Sequence, residues 1–124
     1  MTRGMEVPDT KTQAFIVKLI LNKRTEESFH LLSKYYKIQP PEIVVGTIKG
    51  KRKTVLAVYV GKKRRIYAIN SDIYYNPFVM LHEFYHHLRT RGLEHRGSEK
   101  EADSFALQFI ESYRLLKIQE LAKT

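Results

Sequence analysis

Two consecutive prolines divide this chain into stretches of different periodicity. In "QPPE" (Gln39 to Glu42), Pro40 restrains Gln39 to extended backbone and neither proline can carry a helix onward. Before them the period is helical. Pro8 with Asp9 or Thr10 sets up a helix start, and Phe15, Leu19, Phe29 and Leu32 recur toward Tyr36, predicting a first helix of roughly 25 residues with a break near Asn22. After the prolines come three β-branched stretches: "IVVGTI" (Ile43 to Ile48), "TVLAVYV" (Thr54 to Val60) and "RIYAIN" (Arg65 to Asn70), the last two separated by a turn led by Gly61. A small three-stranded antiparallel or mixed sheet is expected. With helices on both sides of it in sequence, the fold class is α+β.

Two more helices follow the strands. Asn76-Pro77 supplies an N-cap and a proline at the first helical position, and Gly92 stands where a C-cap glycine belongs, so a helix is expected from Pro77 to Arg91, roughly 22 Å long. Its Leu81, Phe84, Tyr85 and Leu88 form an apolar stripe, while His82 and His86, four apart, share another face. The final helix starts at Ser98 and runs to about Leu121, with Ala102, Phe105, Ala106, Phe109, Ile110, Tyr113 and Leu116 as its core stripe. At 124 residues, 43% of them apolar, the chain is expected to form one domain over 1–124.

The absence of cysteine excludes disulfides and cysteine-based zinc sites, so any metal must be held by histidine and carboxylate. Four of the five histidines lie between Leu81 and Ala106. "HEFYH" (His82 to His86) is an HExxH pattern: two imidazoles one helical turn apart that can reach one zinc ion, with Glu83 displaced around the helix and suited to act as general base on a zinc-bound water. A catalytic zinc needs a third protein ligand. Glu99 is the leading candidate, because it shares a face with the small residues Ala102 and Ala106 that would let the two helices approach. Glu101 and His95 are the alternatives. Ser98 with Glu101 also reads as a capping box, which gives Glu101 a structural task. Asp103, four beyond Glu99, could accept the second ring N–H of a zinc-bound histidine.

"HEFYHH" followed by "EKEADSFA" resembles the gluzincin metallopeptidases, and its wording is similar to the minigluzincins, the ImmA/IrrE-type peptidases and the soluble core of the HtpX-like membrane proteases. The resemblance covers roughly Arg65 to Ile110. It implies one zinc per chain on His82, His86 and Glu99, Asp103 behind a ligand, Glu83 as the base, and hydrolysis of peptide bonds. Position 92, where a metzincin would place its third histidine, is Gly92. "FIESYRLLK" replaces the apolar stretch and Met-Pro turn usual in ImmA/IrrE proteins, so a dedicated regulator-cleaving role is not expected. "EHRG" faintly resembles the SprT-like DNA-associated proteases, which keeps His95 as an alternative ligand; His95 or Tyr85 could also serve as oxyanion donor. An edge strand, Arg65 to Asn70 or Thr54 to Val60, would pair with an extended peptide. A latent form, its cleft covered by a terminus or a neighbour, and an oligomer are both compatible with this reading. Tyr113 lies too far along the last helix to take part, His87 is expected at the surface or behind a ligand, and His30 is an ordinary helix-face histidine.

The formal charge of +9, from 22 Lys and Arg against 13 Asp and Glu, is concentrated in "KGKRK" (Lys49 to Lys53) and "GKKRR" (Gly61 to Arg65). A solvated hairpin rim accounts for this more simply than nucleic acid, for which no binding motif is present. The longest apolar run falls far short of the roughly 20 residues of a membrane span, and a cytoplasmic protein is expected. A basic adaptor for nucleic acid or protein that keeps zinc for stability is the alternative; such a protein has no use for Glu83.

Overall fold

The computed structural model describes residues 6–46, 55–92 and 97–123, and the fold is α+β: five α-helices and a three-stranded mixed sheet. The helical stretch before the prolines breaks near Asn22, as its sequence predicts, into α1 (Thr10–Leu21) and α2 (Thr25–Tyr36). Asp9 caps α1, its carboxylate accepting from the Thr12 amide at 2.8 Å. The break falls at Asn22 to Arg24: Lys23 takes a left-handed φ of 66° and the Arg24 amide turns back to the Leu19 carbonyl at 2.8 Å. Thr25 then fixes the direction of α2 by donating its hydroxyl to the Tyr74 carbonyl at 2.7 Å. The buried stripe of α1 is Ile16, Val17, Leu19 and Ile20; Phe15, expected inside, is 47% exposed.

Left-handed Lys37 ends α2, and the prolines deliver the chain to β1 (Glu42–Val45). β2 (Ala57–Val60) and β3 (Arg65–Ala68) complete the sheet in the order β1-β3-β2. β3 pairs antiparallel with β2 and parallel with β1, so the sheet is mixed, and "RIYAIN" forms its centre and not an edge. The reason is burial. β3 carries Ile66 and Ala68, both fully buried, whereas three of the four residues of β1 are exposed. The segment "KGKRK", with Ile48 and Thr54, lies outside the described residues.

An unanticipated short helix, α3 (Ser71–Tyr74), is capped by Asn70, whose side chain accepts from the Ile73 amide at 3.0 Å. α4 spans Pro77–Gly92, one residue beyond expectation, with Asn76 accepting from the Val79 amide at 3.1 Å. α5 spans Glu99–Ala122. α4 is the hub: α5 packs along one flank and β2 along another, and α1 packs against α5. Phe84, fully buried, meets the tilted Phe29 ring at 4.9 Å and Tyr36 at 6.5 Å. Burial also pushes the Tyr36 phenol well above its ordinary range, and its hydroxyl donates to the Glu6 carbonyl at 2.6 Å. Among the described residues no helix is long and apolar enough to cross a membrane.

One buried polar link joins α1 to α5: Ser112 donates to the Gln13 side-chain oxygen at 2.8 Å while the Gln13 amide donates to the Pro8 carbonyl at 2.6 Å. Ser112→Ala should lower the unfolding free energy by about 1–3 kcal/mol, because the Gln13 oxygen loses its donor in the core. Phe109→Ala should cost about 3–5 kcal/mol. Leu121→Ala, at a residue 72% exposed, should stay within about 0.5 kcal/mol. Urea denaturation of the three variants beside wild type checks the order.

Candidate metal centre

α4 and α5 bring together His82, His86 and Glu99, whose donor atoms all lie within 4.8 Å of one another and could hold a metal ion. Glu99 faces both rings. Its Oε1 is 2.9 Å from His82 Nε2 and its Oε2 is 2.9 Å from His86 Nε2. Behind His82, Nδ1 lies 2.8 Å from Asp103 Oδ1. A carboxylate there accepts the Nδ1 proton, which fixes the ring and turns Nε2 toward the centre, the arrangement that metal-ligating imidazoles require. His86 is fully buried, the His82 side chain is 13% exposed and that of Glu99 is 68% exposed, so the group opens to solvent at its carboxylate end. Two imidazole nitrogens and one carboxylate form a donor set suited to zinc that leaves room for water.

Local sequence explains the convergence. A separation of four on α4 puts both histidines on the flank that meets α5. On α5, Ala102 and Ala106 are fully buried and hold the helices close, which sets Glu99 and Asp103 opposite that flank. Glu83, 7% exposed, belongs to the adjoining face, with its Oε2 4.0 Å from His82 Nε2.

Glu101 is engaged elsewhere. Its side chain accepts from the Ser98 amide at 3.0 Å while Ser98 Oγ accepts from the Glu101 amide at 3.0 Å, the reciprocal capping box read from the sequence. Tyr85 adds a longer hydroxyl contact to Glu101 at 3.4 Å and is otherwise core, 4% exposed, its phenol raised chiefly by burial. Tyr113 is half-buried beneath Lys117 and stands apart from the group, and His30 is exposed on α2. His95, the alternative ligand or oxyanion donor, lies outside the described residues.

His87 departs from expectation. Instead of lying at the surface it is fully buried, with Nε2 2.8 Å from the Gln39 carbonyl and Nδ1 2.9 Å from the Tyr59 hydroxyl. A carbonyl only accepts, so Nε2 carries the proton and Nδ1 receives that of Tyr59. Neighbouring positions on α4 thus serve different partners, His86 turning to α5 and His87 to β2. Tyr59 and Gln39, unnoticed in the sequence, gain their importance from this bond; no pattern marks them, because both meet His87 only through the tertiary fold. Gly97 was also unremarked. Its φ is 78°, and a Cβ there would stand 2.7 Å from Tyr85 Cε2 and 3.2 Å from Arg89 Cγ.

The cap has a pH signature. The hydrogen bond from the Ser98 amide, opposed by a smaller desolvation, holds the Glu101 carboxyl below its ordinary value. Its stabilisation is therefore present above the ordinary carboxylate range and is lost as pH falls through the folded-state value. Melting temperatures of wild type and Glu101→Ala should differ most near neutrality and converge below about pH 4. A constant gap across that range would show that the ionised cap contributes nothing.

No family model, no curated protein and no solved structure matches the chain, so its site stands on its own geometry.

Proposed function

We propose that this chain is a zinc-dependent endopeptidase of gluzincin type. The observation that carries the reading is the convergence of His82, His86 and Glu99, with Asp103 behind His82 and Glu83 beside it. Structural zinc sites are closed by four protein ligands, whereas three with an exposed carboxylate suit a site that admits water and substrate. When bound there, the metal supplies Lewis acidity toward a water and toward the scissile carbonyl.

The remaining work falls to the chain's own side chains. Glu83 accepts the proton of the attacking water and returns it to the leaving amine as the C–N bond breaks. Its place on a mostly buried face suits proton transfer and gives a passive adaptor no benefit. Asp103 keeps the His82 ring from rotating by holding its Nδ1 proton. β2, which packs against α4 and ends the sheet among the described residues, is suited to pair with an extended peptide. Intracellular action and a latent state covered by a terminus belong to the same proposal.

Metal content by mass spectrometry, measured on wild type, Glu99→Ala and Glu101→Ala prepared identically, tests the ligand set. One zinc per chain is expected in wild type and in Glu101→Ala, with loss in Glu99→Ala; a wild type without zinc after metal-replete purification ends the enzyme reading. Glu83→Ala should keep its zinc and lose about 10²-fold to 10⁴-fold in peptide-library cleavage. Unchanged function in that variant would favour the basic adaptor.

A further inference from the structure

α5 carries an apolar stripe besides the one it buries. Phe105, Phe109 and Ser112 turn into the fold, whereas Leu107, Leu115 and Ile118 are 54%, 45% and 48% exposed. At 100° per residue, Leu107 and Ile118 lie only about 20° apart around the helix, and each is about 160–180° from Phe109. Half-buried Ile110 borders this outward stripe on one side and Leu115 on the other. Glu111 and Arg114 occupy its middle, both about half exposed, with the Arg114 guanidinium donating to the Glu111 carboxylate at 3.0 Å. Single exposed apolar side chains are ordinary on a protein surface, but these are ordered.

Their order is a palindrome in chemical type. Leu107 and Ile118, Ile110 and Leu115, and Glu111 and Arg114 are each spaced evenly about one point, midway between Ser112 and Tyr113. A two-fold axis through that point, perpendicular to α5, would lay a second α5 antiparallel on the first. Leu107 then meets Ile118 of the second copy, Ile110 meets Leu115, and each Glu111 meets an Arg114. Every apolar residue of the stripe faces an apolar one, and both carboxylates face guanidinium groups. An isologous interface requires such self-complementarity, whereas an unrelated partner does not. From Leu107 to Ile118 the stripe is about 16 Å long, and helices crossing at about 20° stay in contact over that length.

Charge points to the same occupant. The chain carries a formal +9, so two copies repel one another wherever their basic surfaces approach. Residues 107–122 hold two acidic and two basic side chains, and the whole surplus lies elsewhere. This stretch is therefore one along which a like-charged copy can approach without net repulsion. A polyanion finds no excess of positive charge on it.

We propose that the outward face of α5 is an isologous interface for a second copy of this chain, whose α5 seats antiparallel across Leu107, Ile110, Leu115 and Ile118 with two reciprocal Glu111–Arg114 ion pairs at the centre. Glu99, eight residues before Leu107, is turned about 80° from it, so the interface and the metal group use different faces of the helix. The inference goes beyond the peptidase reading and stands whichever function the metal group serves. One helix against one helix is a small contact, and a dissociation constant on the order of 10–100 µM is expected.

Sedimentation velocity on the full, metal-replete chain from about 5 µM to about 500 µM should show monomer passing to dimer and nothing larger, because a two-fold interface closes on itself. Glu111→Arg and Arg114→Glu, each alone, set like charges against each other in both reciprocal pairs and should weaken the dimer about tenfold. Glu111→Arg/Arg114→Glu in one chain restores the pairing and should dimerise as wild type does. An equimolar mixture of the two single variants should also recover, since the two chains then carry opposite charges at the facing positions. Circular dichroism melts check that the variants fold. A wild type that stays monomeric at the highest concentration, single variants that dimerise as wild type does, or a mixture no stronger than its components would each overturn the proposal. Should a charge reversal unfold the chain, Leu107→Gln and Ile118→Gln decide: a loss of dimer in both supports the interface, and a dimer of wild-type strength in either one sinks it.

Discussion

α5 packs along α4, and its Ala102 and Ala106 are fully buried, small side chains that let two helices lie close. Close helix contact is strongest when small residues meet large ones in complementary positions, and here Phe84, Tyr85 and Leu88 supply the bulk while the alanines supply the space. A carboxylate at position 99 can face two histidines on a neighbouring helix only because that spacing is short. Every distance in the metal group inherits it.

α4 divides its circumference among three tasks. Met80, Leu81, Phe84 and Leu88 are committed to the core, His82 and His86 to α5, and His87 to β2. Because consecutive residues are turned by about 100° from one another, the pairs at positions 82 and 86 and at positions 83 and 87 occupy adjoining faces. Glu83 therefore stands between the imidazoles and β2. The general-base role proposed for Glu83 calls for that location, and helical geometry supplies it without any loop.

Much of this was legible in local patterns. Asn76-Pro77, the Ser98 and Glu101 box, the apolar period of the last helix and the spacing of His82 and His86 each depend on residues within a few positions of one another, and α4 and α5 appear within about a residue of their expected bounds. The sheet order was not legible, because the choice of β3 as centre follows the deep burial of Ile66 and Ala68, a property of the assembled fold. His87 was misjudged for the same reason: its neighbours Tyr59 and Gln39 are 28 and 48 positions away. Phe15 shows the remaining weakness, since a shift of one position around α1 puts Ile16 and Val17 inside and turns the phenylalanine outward.

Gly97 couples the backbone of the loop to the chemistry of the helix that follows. Its left-handed φ, and the Tyr85 ring that leaves no room for a Cβ there, fix where α5 originates relative to α4. A helix is rigid along its length, so a displaced origin would rotate and translate Glu99 and Asp103 together, the first by a change of phase and the second by the same change four residues on. The positions of the three residues that could hold a metal are thus governed partly by a residue with no side chain and no donor atom, which acts as the zero mark from which they are counted.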